Sequence, residues 1–173
     1  MANILNFVAF QLVWFIAIFS AASNKSFLAI PAVLFFAVVQ IFYSRCKLTD
    51  LTLVLIGFVI GMTIDSIWLN LHWIDYSDIY FSSVAPLWIG CLWINFMLTL
   101  NHSMSWLNHR LLWLSVLSLI AAPLSYYAGA RAGAIILNEP LLALIAVALS
   151  WAIWIPVAMH IANRLRNREE STS

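Results

Sequence analysis

Six apolar runs, each near the length of a bilayer-crossing helix, occupy most of this chain and leave almost nothing for a water-soluble domain. They cover about 3–22, 27–43, 51–73, 84–106, 110–133 and 140–162. A hydrocarbon core takes roughly 20 residues of helix, and in lipid a helix satisfies its own backbone polar groups. The connections are short. Ser23-Asn24-Lys25-Ser26 separates the first two runs, and Asn108-His109-Arg110 the fourth and fifth. The longest, Ile74 to Ser83, carries Asp75, Tyr76, Asp78 and Tyr80. Of the 173 residues 64% are hydrophobic and 9% charged, against roughly 25% charged in soluble domains. The expected fold is all-α: a polytopic transmembrane bundle of six helices in a single membrane domain over 1–173, with 163–173 as a short cytoplasmic tail.

A net charge of +1 gives no basic footprint, so nucleic acid is not an expected partner. The first run lacks a positive segment before it and a small-residue cleavage site after it, and reads as a retained helix. With six spans, Arg45, Lys47, Arg110, Arg164, Arg166 and Arg168 fall on one side, and Lys25 and Arg131 on the other. Short loops rich in Lys and Arg stay in the cytoplasm, so both termini are expected there and the acidic 74–83 loop outside. Cys46 and Cys91 fall at different depths, which disfavours a disulfide. Trp73, Tyr76, Tyr80 and Trp88 on the outer side, with Tyr43, Trp106 and Trp113 on the inner, read as aromatic belts. Gly57 and Gly61, and the stripe Ser118, Ala122, Ser125, Gly129, Gly133, read as close helix contacts. Pro31, Pro123 and Pro156 mark kinks or helix starts.

Asp65 is the one carboxylate that this reading leaves inside a span, in Gly57-Phe58-Val59-Ile60-Gly61-Met62-Thr63-Ile64-Asp65-Ser66-Ile67-Trp68. A charge at membrane depth costs about 2.5–3.5 kcal/mol on insertion scales, so it needs a partner or a task. Asp65, Trp68 and His72 share a helix face, with His72 at the outer surface. Span four carries Trp88, Asn95 and His102 on one stripe, and span five reaches the outer half at Tyr126 and Arg131. The candidate cluster is therefore Asp65, Trp68, Trp88, Asn95, Tyr126 and Arg131, with His72 and His102 as weaker members. One reading is a polar, aromatic-lined pocket opening outward. The other is a structural lock, either an Asp65–Arg131 pair or an Asp65 that accepts from Tyr, Trp and Ser groups.

His102, His109 and His160 are expected near the cytoplasmic side as interfacial or loop residues, and no histidine box of a membrane di-iron enzyme is present. The chain has no Gly-x-Ser-x-Gly elbow, no His-Glu-x-x-His and no glycine-rich phosphate loop. No lysine lies at mid-membrane. No metal and no cofactor is expected.

The tryptophan content invites comparison with the tryptophan-rich sensory protein family. Six spans rather than five, and the missing Trp-Pro and Leu-Tyr stretches, separate the two. Pro86-Leu87-Trp88-Ile89-Gly90-Cys91-Leu92-Trp93-Ile94-Asn95-Phe96, Pro123-Leu124-Ser125-Tyr126-Tyr127-Ala128-Gly129-Ala130 and the Asp and Trp of span three resemble another family. It consists of small six-helix bacterial inner-membrane proteins catalogued only as a domain of unknown function. The resemblance covers nearly the whole chain. It implies a multi-pass protein of the bacterial inner membrane and a genomic neighbourhood of fatty-acyl-modifying enzymes, and it supplies no activity.

Three function classes follow, in order of preference. The first is a non-enzymatic protein that binds a membrane lipid or another small hydrophobic molecule, or assists lipid modification. The second is a proton-coupled carrier using Asp65. The third is a membrane enzyme, which needs at least two of Asp65, His72 and His102 within hydrogen-bond reach.

Overall fold

The computed structural model describes residues 2–172. Six helices follow one another: α1 (Ala2–Ala22), α2 (Ala29–Tyr43), α3 (Lys47–Asn70), α4 (Leu87–Met97), α5 (Leu111–Arg131) and α6 (Pro140–Thr172). All but α4 lie in segments long and apolar enough to cross a membrane, with mean hydropathy between 1.6 and 2.3. Their outer surfaces are apolar as well. Phe35, Leu112 and Leu141 are each 74–78% exposed, a surface that water would not tolerate but lipid does. The chain is an integral membrane protein built as an all-α bundle.

Contacts at the two ends fix the topology. Asn6 on α1 bonds Gln40 on α2 (2.9 Å), and Asn163 on α6 bonds the carbonyl of Asn108 (2.9 Å). The start of α1 and the end of α6 lie at this end. At the opposite end two short strands, β1 (Ile74–Tyr76) and β2 (Ile135–Leu137), pair antiparallel, with Ile74 opposite Leu137 and Tyr76 opposite Ile135. This ribbon joins the α3–α4 loop to the α5–α6 loop. Ile74, Tyr76 and Ile135 are buried beneath it while Ile136 faces outward. The expected loop at 74–83 therefore begins as a strand, tied down further by Asp78, whose Oδ2 accepts from the Ser26 N–H at the start of the second hairpin arm (2.9 Å).

Three expected boundaries differ. The single helix expected over 84–106 is α-helical only from Leu87 to Met97, with one 3-10 turn at Ser105–Leu107. The chain then descends through turns, with the N–H of Leu100 on the Met97 carbonyl (3.2 Å) and that of Met104 on Thr99 (2.9 Å). The Thr99 hydroxyl also bonds Phe96 O (2.6 Å), a local bond that competes with helix continuation. Leu98, Leu100 and Leu107 are 0–1% exposed, so this irregular stretch is wrapped in protein, which is where a membrane tolerates it. Second, α3 begins at Lys47 rather than 51, which brings Asp50 into its first turn. Third, the segment expected as a tail from 163 continues α6 to Thr172.

Glycines set the tightest helix contact. A Cβ at Gly57 would overlap the Met97 side chain, one at Gly61 the Trp93 ring, and one at Gly90 would press on Phe58. The Gly57–Gly61 pair thus lets α4 lie directly on α3, as small residues do in membrane bundles. The stripe on α5 behaves differently, as described below.

Candidate functional site

Asp65 sits in the last third of α3 and is 0% exposed. Among the described residues no cation pairs with it. Three neutral donors do: Tyr76 Oη at 2.7 Å and Tyr126 Oη at 2.6 Å, both on Oδ1, and Trp93 Nε1 at 2.8 Å on Oδ2. They come from β1, α5 and α4, so one carboxyl joins four elements. Removing a buried charge from water is tolerable only when hydrogen bonds replace the lost hydration, and this cage supplies three. Tyr76 belongs to the ribbon, outside the spans. Its burial, together with the neighbouring Asp65, pushes its phenol well above the usual range, which keeps it a proton donor.

Two members of the cage, Trp93 and Tyr126, also form part of the wall of a cavity of about 590 Å³. The cavity lies between α1 and α5 with α4 behind it, within the range of roughly 300–1,000 Å³ usual for ligand sites. Phe10, Trp14, Trp88, Phe96 and Trp151 give it an aromatic lining. Trp93 stacks on Trp151 with centroids 4.3 Å apart, and Phe96 meets Trp151 edge-on at 5.0 Å. The α5 stripe expected to make helix contacts also lines this space: Ser118, Ala122, Ser125 and Gly129 all border it. Small side chains there leave room. Gly133, the stripe's last member, has φ +86 and turns the chain towards β2, a conformation suited to glycine.

The remaining sequence candidates scatter. Trp88 borders the cage: its ring meets Tyr76 edge-on at 6.2 Å and its Nε1 donates to Ser77 O (3.0 Å). Trp68 stacks on Trp73 (5.5 Å) and its Nε1 has no partner among the described residues. Asn95 points to α1, donating to Phe10 O (3.0 Å). Arg131 is exposed and makes no ion pair among the described residues, so the Asp65–Arg131 pair is replaced by the aromatic cage. The reason is geometric: Arg131 ends α5, beyond Tyr126, and its side chain extends away from the bundle. His72 is exposed with φ 56, and His102 belongs to the other end of the molecule. Tyr76 and Trp93, read from the sequence only as belt and motif residues, turn out to be direct partners of Asp65.

Asp50 is the second buried carboxylate, 1% exposed, contrary to the expectation that Asp65 is alone. Asn101 Nδ2 donates to Oδ1 at 2.8 Å and His102 Nε2 lies 2.8 Å from Oδ2. Arg166 reaches Asn101 Oδ1 (3.3 Å) and Asn163 Oδ1 (2.7 Å). Beside this group Glu169 accepts from the N–H groups of Leu48 (3.1 Å) and Thr49 (2.9 Å) and from the Thr49 hydroxyl (2.7 Å). The end of α6 thereby caps the start of α3, satisfying donors that open every helix. The one sequence signal for this node is the Asp50–His102–Arg166 trio of polar residues at expected span ends. Since His72 and His102 lie at opposite ends and neither bonds Asp65, the grouping required by the enzyme reading is not formed.

No curated protein and no solved structure matches the chain. Residues 3–157 match the model of a family described as a protein of unknown function, DUF2878, and the chain belongs to that family.

Proposed function

We infer that this membrane protein holds a lipid or small hydrophobic molecule in the cavity between α1, α4 and α5. The observation that carries this reading is the cavity itself: about 590 Å³, aromatic, and lined by no Asp, Glu, Lys, Arg or His. Apolar walls with a few placed polar groups are the usual make-up of such a site. In this reading the Asp65 cage holds Trp93 and Tyr126 rigid on the wall. Its three donors speak for support rather than for proton exchange with a passing solute. Mass spectrometry of lipid extracted from protein purified in mild detergent tests the reading. Wild type is expected to retain a bound molecule, and Ala121→Trp, which puts an indole at the cavity's exposed rim on α5, to retain less of it. Equal recovery from both would overturn it.

The side that carries the start of α1 and the end of α6 also carries Arg45, Lys47, Arg110, Arg164, Arg166 and Arg168. That bias supports a cytoplasmic location for both termini in a bacterial inner membrane. A reporter fused after Ser173 that is active only in the cytoplasm checks it.

A further inference from the structure

The cavity has a mouth along the seam between two spanning helices. Helices α1 and α5 do not pack against each other along their length. The residues on either side of their seam both line the cavity and reach the surface: Phe7 and Phe15 on α1, Leu117 and Leu124 on α5, each 42–61% exposed. These are apolar groups on spanning helices, so this side of the opening faces hydrocarbon when the helices cross a bilayer. One side-chain hydrogen bond crosses the seam, from Trp14 Nε1 to Ser125 Oγ at 3.1 Å. The cavity is also long. Its wall runs from Phe7 to Ile18 on α1, about 17 Å at the helical rise of 1.5 Å per residue. That exceeds half of a hydrocarbon core of about 30 Å and suits an extended chain better than a compact ring system.

Polar groups on the wall lack partners among the described residues, Trp151 Nε1 behind the aromatic lining being one. The Gln11 side-chain amide bonds nothing among the described residues. Ser103 Oγ, nearer the terminal end, is buried and likewise unpartnered. The cost of about 1–3 kcal/mol for a buried polar group without a partner falls on Ser103; Gln11 is partly buried, and its amide, set among apolar walls, gains from a ligand oxygen that meets it. With no cation on the wall, a carboxylate or phosphate inside would be unpaired, and that penalty selects against charged lipids.

Resting on the proposed lipid-binding reading, we propose that the occupant is an uncharged single-chain lipid bearing a hydroxyl or ester oxygen. It is admitted sideways from the bilayer through the α1–α5 seam and held by Gln11, with Trp14–Ser125 as the latch. The hydroxyl or carbonyl takes the Gln11 amide and the chain fills the aromatic trough.

The test uses the full chain in phospholipid nanodiscs and three photoactivatable probes of equal chain length: a monoacylglycerol, a fatty acid and a phosphatidylglycerol. The monoacylglycerol is expected to label peptides of α1 and α5 in preference to the other two. Gln11→Leu should weaken it about three- to tenfold, the worth of one hydrogen bond. Trp14→Phe keeps the ring, removes the latch and should speed probe exchange. Equal or preferred labelling by a charged probe, no effect of Gln11→Leu, or unchanged exchange in Trp14→Phe overturns this inference while lipid binding stands. No cavity labelling by any probe, with Ala121→Trp indistinguishable from wild type, overturns both.

Discussion

Helix α3 carries two buried carboxylates, Asp50 and Asp65, 1% and 0% exposed and about 22 Å apart along its axis. They are satisfied in opposite ways. Asp65 is held by two phenols and an indole from three separate elements. Asp50 is held by an amide and an imidazole from one stretch, Asn101 and His102, with Arg166 one bond further out. Tyrosine and tryptophan bring a donor on a large apolar body, so they serve a charge deep in a span and still pack against its neighbours. Asparagine, histidine and arginine serve at the helix end, where the His102 side chain is 17% exposed and water can share the work. The deep node sits behind the cavity wall; the end node ties α6 to the start of α3. One supports a site and the other fastens the frame.

That contrast is open to direct attack. Asp65→Ala strands three buried donors, each at about 1 kcal/mol or more, so it should cost at least about 3 kcal/mol and most of the folded yield in detergent. A variant that melts within a degree or two of wild type would break the account of the cage. Asp65→Asn keeps an oxygen for the two tyrosines but turns an NH₂ towards Trp93 Nε1. It should cost about 2 kcal/mol, read as a lowered midpoint in thermal unfolding. Asp50→Ala strands two donors, one open to water, and is expected to cost about 1–2 kcal/mol. If it matched Asp65→Ala, depth would not be what separates the nodes.

Smaller effects sharpen the picture of the end node. Glu169→Ala uncaps α3 and should cost about 1 kcal/mol. Hydrogen exchange should rise at Leu48 and Thr49 and leave the β1–β2 ribbon unchanged. The last is a rate. Cys46, in the link before α3, is buried beside Glu169, Glu170 and Asp50. Burial, and then those carboxylates, push its thiol up. Because the thiolate is the reactive form, a raised thiol carries less of it at any pH below its own range. Alkylation at neutral pH should be slow and should quicken in Glu169→Ala as the cover loosens.

Much of the frame was legible in the chain. The run lengths located the helices, and a charge inside Gly57–Trp68 marked Asp65 before any contact was known. Tyr126 could be named because its span and height followed from counting residues. Tyr76 could not, since it reaches Asp65 only after β1 pairs with β2, about 60 residues away in sequence. Trp93 stood out only as part of a motif, because pattern does not say which way an indole turns. Asp50 was missed because the expected start of span three, at 51, falls just past it, four residues after the true start of α3. The turn after Met97 was hidden because hydropathy averages over Thr99, whose hydroxyl makes the competing bond.

The sequence by itself determined that this chain lives in a membrane, how many helical segments it has and in what order they run. Those properties follow from apolar run length and from the need to satisfy every backbone group in lipid, both readable along one dimension. Only the tertiary structure decided which donors close on Asp65 and that the small residues of α5 line a cavity. Such outcomes depend on helix rotation and separation, set by many weak contacts summed over the whole bundle, and no stretch of sequence encodes that sum locally.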